Sequence, residues 1–163
     1  MNDPLLRSLA AELGTLLAGR RWRVATCESC TGGLVAAAIT SIPGSSRWFD
    51  EGYVTYGNAA KTRLVGVSAG VIEHEGAVSE ATARAMAEGA RRASGADVSV
   101  AVTGVAGPGG GTAAKPVGLV WIAWATAAGT RAEVARFDGD RDAVRRAAVV
   151  AALEGLIERV RAG

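Results

Sequence analysis

The stretch from Arg23 to Ala36 (RVATCESCTGGLVA) constrains this chain more than any other. A β-prone run, Val24 to Cys27, meets a polar and glycine corner and then a Leu, Val, Ala and Ile run of good helix propensity. The pattern is strand, turn, helix, with hydroxyls at the corner. The first amides of a helix have no intrahelical partner and carry the positive end of its dipole, so this corner is expected to attract an anion. Gly32 and Gly33 allow a ligand close to the backbone with no Cβ in the way. Ser29 stands where a nucleophile would, and Thr31 where a capping or ligand-binding hydroxyl would. An ordinary capped helix start is the competing reading of the same residues.

The rest of the chain repeats the alternation. Asp3 and Pro4 suit an N-cap and first helical position, Leu6, Leu9, Leu13, Leu16 and Leu17 follow helical spacing, and Gly19 is the expected stop. Pro43 to Ser46 reads as a turn, Trp48-Phe49 as the opening of a β-prone piece, and Tyr53 to Tyr56 as its strand. Asn58 suits the cap of a short helix carrying Lys61. One short helix is expected between Ser68 and Val78, then a helix capped by Ser79 that runs to about Ala93. Val98 to Thr103 reads as a buried strand, followed by a glycine loop from Gly104 to Gly118. Leu119 to Thr126 and Thr130 to Phe137 form a hairpin. A final helix starts near Asp140, with Val149, Leu153, Leu156 and Val160 on one face. Helices interleaved with strands predict an α/β domain with a mixed sheet.

At 163 residues the chain is the size of one domain, and a single domain over residues 1–163 is expected. A formal charge of +2 with scattered basic residues does not suggest nucleic acid. No apolar run reaches membrane-spanning length, and the first residues lack a signal-peptide layout. Two cysteines without a secretory segment point to a reducing, cytoplasmic setting. The apolar stripe of the last helix and four tryptophans suggest a homodimer.

Chemistry is limited by what the chain holds. The only histidine, His74, has polar neighbours that place it in an exposed turn, so a Ser-His-Asp site is not expected. Two cysteines and one histidine fall short of a zinc set. Cys27-Glu28-Ser29-Cys30 has C-x-x-C spacing, but Cys27 falls within the strand, where a side chain packs rather than reacts. Sixteen of the eighteen cationic residues are arginine, and the two lysines are Lys61 and Lys115. Lysine, unlike arginine, can lose its proton when buried and act as a base. That makes Lys61 a base candidate for Ser29, with the Tyr56 phenol to orient it or relay a proton; a strand aromatic and a solvated lysine are the alternative. The glycine loop is not a Walker A motif, since proline follows Lys115, and it either lines a pocket beside Lys115 or is a surface hairpin. Arg141 and Arg145 put cations on one face of the first turns of the last helix, against its dipole. An anionic ligand would offset that cost, and so would Asp140 and Asp142.

Taken together, ESCTGG (28–33), PGSS with Trp48-Phe49, VTY (54–56) with Lys61, GAVS (76–79), TGVAGP (103–108), KPVG (115–118) and GDR (139–141) resemble the C-terminal domain of the CinA family, in order over nearly the whole chain. Members of that family include stand-alone nicotinamide-nucleotide amidases of the PncC type. The resemblance implies a three-layer α/β/α domain that hydrolyses the amide of nicotinamide mononucleotide without metal or cofactor. It implies Ser29 as nucleophile with Tyr56 and Lys61 as activating partners. Thr31, Gly32, Gly33, Thr103, Gly104, Gly107 and Lys115 would line the substrate site, with Arg141 or Arg145 on its phosphate. A silent nucleotide- or partner-binding module of the same fold is the alternative. The chain departs from the family pattern at Cys27 and Gly57, where Ala and Ser are common, and at Ala59, where Glu is common; the last bears on how Lys61 is held.

Overall fold

The computed structural model describes residues 2–163, so Met1 of the expected domain lies outside the described residues. The elements are α1 (Pro4–Arg20), β1 (Val24–Glu28), α2 (Leu34–Thr40), a 3-10 turn (Ser45–Arg47), β2 (Phe49–Val54), α3 (Asn58–Val65), α4 (Ala69–Glu75), α5 (Glu80–Ser94), β3 (Val98–Gly104), β4 (Leu119–Thr126), β5 (Gly129–Arg136) and α6 (Arg141–Ala162). Among the described residues they form one five-stranded sheet in the order β2-β1-β3-β4-β5. The first three of these strands run parallel, and β4 and β5 add antiparallel. The three-layer α/β/α architecture with a mixed sheet is as expected.

The two faces of the sheet are filled differently. Towards α1, α2 and α6 the strands present Val24, Val98, Val100, Val102, Val120, Ile122 and Trp124. Towards α5 they present Cys27, Ala101, Ala123 and Ala125, packed against Ala83, Met86, Ala87 and Ala90. Small residues on both partners let α5 lie close to the sheet. On the opposite face bulk decides. The Trp124 indole lies against Gly155 of α6, where an added Cβ would come within 2.1 Å of the ring, and its Nε1 donates to the Ala152 carbonyl at 3.0 Å.

Three local expectations need correction. Helix α1 does not stop at Gly19 but runs to Arg20, with Arg21 in the left-handed conformation (φ 57°) and Trp22 N donating to Leu17 O at 3.0 Å. This closing bond satisfies the last carbonyls and needs no glycine. Helix α2, which the helical run predicts over roughly Gly32 to Ser41, covers Leu34–Thr40, because Gly32 and Gly33 have φ of 57° and 104° and belong to a turn. Strand β2 runs from Phe49 to Val54, not from Tyr53 to Tyr56. Thr55 N donates to Glu28 O at 2.7 Å as the last rung, and the chain then turns away.

The topology also fixes where a ligand can sit. From β1 the chain leaves through α2 to β2 on one side, whereas from β3 it leaves to β4 on the other. Adjacent parallel strands whose connections diverge open a crevice beyond their carboxyl ends. Ser29 follows β1 directly, and Thr103 and Gly104 close β3.

Candidate active site

A cavity of about 310 Å³ opens at that crevice. Ser29, Tyr56 and Lys61 line it with Thr103, Gly104, Gly107 and Arg141. These come from the exits of β1 and β3, the β2–α3 turn, α3, the glycine loop and the start of α6.

Lys61 lies in the first turn of α3 and is 0% exposed. Its Nζ is 3.2 Å from Ser29 Oγ, 2.6 Å from the Thr55 carbonyl and 3.4 Å from the Tyr56 carbonyl. Burial pulls its pKa below the ordinary lysine value, opposed by the nearby Cys27 and Cys30 thiols. All three partners offer an oxygen to Nζ, so the ammonium donates to each; once deprotonated, the amine can keep both carbonyls on its two N–H groups and turn its lone pair to the Ser29 hydroxyl. Backbone carbonyls hold Lys61 here, and Ala59, in place of the common Glu, is exposed.

Tyr56 enters the site differently from expectation. Its carbonyl, not its phenol, bonds to Lys61. The phenol, on a residue 60% exposed, accepts from Arg141 Nη2 at 3.1 Å. Arg141 Nη1 donates to the Gly107 carbonyl at 2.8 Å, so this guanidinium joins the β2–α3 turn to the glycine loop across the cavity. Thr103 Oγ1 donates to the Ala77 carbonyl at 2.8 Å, which fixes the end of β3 against the residues before α5.

Five expected binding residues do not line the cavity. The Thr31 hydroxyl, 0% exposed, donates to Glu28 Oε1 at 2.7 Å. Gly32 and Gly33 supply the left-handed turn that follows, and a Cβ on Gly32 would sit 3.3 Å from Arg145 Nη2. Arg145 donates to the carbonyls of Cys30 at 3.1 Å and Thr31 at 3.3 Å, bracing the corner from outside. Lys115 Nζ donates to the Glu75 carbonyl at 2.7 Å, tying the glycine loop to the end of α4. The anion expected at the corner is supplied from within: Glu28 accepts from Val35 N and Ala36 N, the first free amides of α2.

Motif reading passed over Glu28, which is 1% exposed, and gave Asn58 a capping role it does not fill: Gly57 is the N-cap of α3, no side chain bonds there, and Asn58 lines the cavity. An acid inside a strand that faces the core on every residue was the available signal. Thiol chemistry finds no support: Cys27 and Cys30 are free and buried, and burial pushes both thiols up to about 11. His74 is exposed, as expected, but it lies in the last turn of helix α4 rather than in a connecting turn. Among the described residues no cluster of three or more His, Cys, Asp or Glu side chains is placed to hold a metal. No helix is long and apolar enough to cross a membrane.

Comparison with known proteins gives one consistent result. Residues 6–160 match the family model of the CinA C-terminal domain. The chain is 54% identical over 156 residues to the nicotinamide-nucleotide amidohydrolase PncC of Pseudomonas putida, covering 96% of this chain and 97% of that protein. It is 50% identical over 159 residues to the protein of the same name from Escherichia coli K12, covering 96% and 95%. Among solved structures, the competence/damage inducible protein CihA of Agrobacterium tumefaciens superposes with a TM-score of 0.94 at 45% identity, covering 97% of each chain.

Proposed function

Because this chain belongs to the CinA C-terminal domain family, we propose that it hydrolyses the carboxamide of nicotinamide mononucleotide to nicotinate mononucleotide and ammonia, as a single domain of pyridine-nucleotide salvage. The observation that carries this is the 3.2 Å contact between Lys61 Nζ and Ser29 Oγ in a cavity of nucleotide-fragment size.

The neutral Lys61 amine takes the Ser29 proton as Oγ adds to the carboxamide carbon, and the carbonyl pair moves onto oxygen. Collapse of that adduct breaks the C–N bond, and Lys61 returns the proton to the departing nitrogen, which leaves as ammonia. Water, deprotonated by the same amine, then adds to the acyl-serine; as that adduct collapses, Lys61 gives the proton to the departing Ser29 Oγ and the acid is released. Tyr56 aims Lys61 through its carbonyl and Arg141 through its phenol. Arg141 meets the 5′-phosphate, exchanging the neutral Gly107 carbonyl and Tyr56 phenol for charge-assisted bonds. Thr103, Gly104 and Gly107 shape the wall.

The cytoplasm suits this assignment, since two free thiols stay reduced there. The homodimer expected from the sequence would need a surface other than the α6 stripe, because Val149, Leu153, Leu156 and Val160 are buried within the chain. Light scattering at micromolar concentration decides it, and a monomer mass ends that expectation.

The test of function is purified protein with nicotinamide mononucleotide, following ammonia and nicotinate mononucleotide, with Ser29→Ala as the blank. No ammonia from a folded chain would overturn the amidase assignment and leave a binding module that keeps the pocket.

A further inference from the structure

We infer that Glu28 is a positioning residue of this site, setting nucleophile and base in register from one point on the chain. The inference rests on the Ser29–Lys61 assignment above. The Glu28 carboxylate accepts three hydrogen bonds: Thr31 Oγ1 at 2.7 Å and Val35 N at 2.8 Å on one oxygen, Ala36 N at 3.1 Å on the other. These tie the end of β1 to the turn after it and to the first residues of α2, leaving Ser29 between fixed points. The backbone of the same residue holds the base. The Glu28 carbonyl accepts from Thr55 N at 2.7 Å and Thr55 Oγ1 at 3.4 Å, and the Thr55 carbonyl accepts from Lys61 Nζ at 2.6 Å.

A buried carboxylate with this set of donors is held rigidly, and its charge faces the amides of α2 rather than the amine of Lys61. Burial, not Glu28, lowers the pKa of Lys61, and the two thiols oppose that shift. Glu28 therefore acts through geometry. A reacting pair misplaced by about 1 Å loses on the order of 10²-fold in rate, so the corner has little room to relax.

Glu28→Gln is the direct test, because a carboxamide turns an N–H₂ towards at least one of the three donors. We expect kcat to fall about 10²-fold, KM to stay within about twofold, and the acidic limb of the kcat–pH profile to stay in place. Thr31→Val removes one donor and leaves the carboxylate; it should lose about 10-fold in kcat, and Thr31→Ser should restore it. The Thr31 pair decides if Glu28→Gln does not fold. A folded variant with kcat within about twofold of the parent, a loss carried by KM, or a displaced acidic limb overturns the inference. Turnover by the unsubstituted chain tests the amidase assignment separately. If that turnover is absent, the rate at which a fluorophosphonate labels Ser29 carries the comparison among the same variants, with the same expected order.

Discussion

Lys61 is buried without a carboxylate partner, an arrangement that costs stability and that the proposed mechanism turns to use. Protonated, it would leave a charge in a desolvated site; its folded-state pKa therefore lies below the unfolded value. Between those two values the unfolded chain binds the proton more readily, so stability rises with pH across that window and is lost as pH falls through the folded pKa. Lys61→Met should accordingly abolish turnover while raising the thermal midpoint. The gain should be largest below the folded pKa and shrink as pH climbs towards 10.5, the ordinary lysine value. Thermal melts and kcat at several pH values check both halves, and a lower midpoint at every pH would refute the account. The unsubstituted enzyme should lose kcat on the acid side as Lys61 takes up its proton. Lys61→Arg, which keeps the charge but offers no neutral amine, should lose at least ~10²-fold in kcat.

The two arginines of α6 separate at the same scale. Arg141→Ala should weaken nicotinamide mononucleotide binding by about 10- to 150-fold and leave nicotinamide riboside, which lacks the phosphate, nearly unaffected. Arg145→Ala removes the brace on the Cys30 and Thr31 carbonyls, so its loss should fall equally on both substrates. Comparing kcat/KM for the two substrates in both variants tests this pair of expectations. Ser29→Ala should be inactive and Cys30→Ala active, the reverse outcome returning thiol chemistry.

At the scale of elements, α6 is held by shape as much as by apolarity. Val149, Leu153, Leu156 and Val160 are each 0% exposed, and Gly155 leaves the recess that Trp124 fills. The helical period made this stripe legible in the sequence. It did not show that the stripe is satisfied within the chain, because a period reports a buried face and not what covers it. Gly155→Ala should cost about 1–3 kcal/mol through overpacking against the indole, read as a lower urea midpoint with an unchanged slope. Leu153→Ala should cost about 2–5 kcal/mol and leave the mass in solution unchanged, since the side chain is internal. Element ends were the less legible part. Gly19 looked like a stop and is not one, because Arg21 takes the left-handed position itself.

For the molecule as a whole, the α/β alternation, the final hairpin and the seat of Ser29 at a strand exit followed from the sequence alone. Each rests on neighbours a few residues apart, where hydrophobic period, capping residues and glycine carry the physical information. Residue chemistry offered the pairing of Ser29 with Lys61 only as a list of available groups, one scarce lysine and no suitable histidine, and the family resemblance named the same pair. Tertiary structure alone decided the distances and the partners. It gave the phenol of Tyr56 to Arg141 and its carbonyl to Lys61, and it placed Glu28 where an external anion had been expected. It also turned Thr31, Arg145 and Lys115 into struts. The reason is that a hydroxyl, a guanidinium and an ammonium satisfy a backbone carbonyl or a buried carboxylate as readily as a ligand. Which one they meet depends on strand order and helix placement, which bring residues 28, 55, 61 and 141 to one crevice across more than a hundred positions of chain.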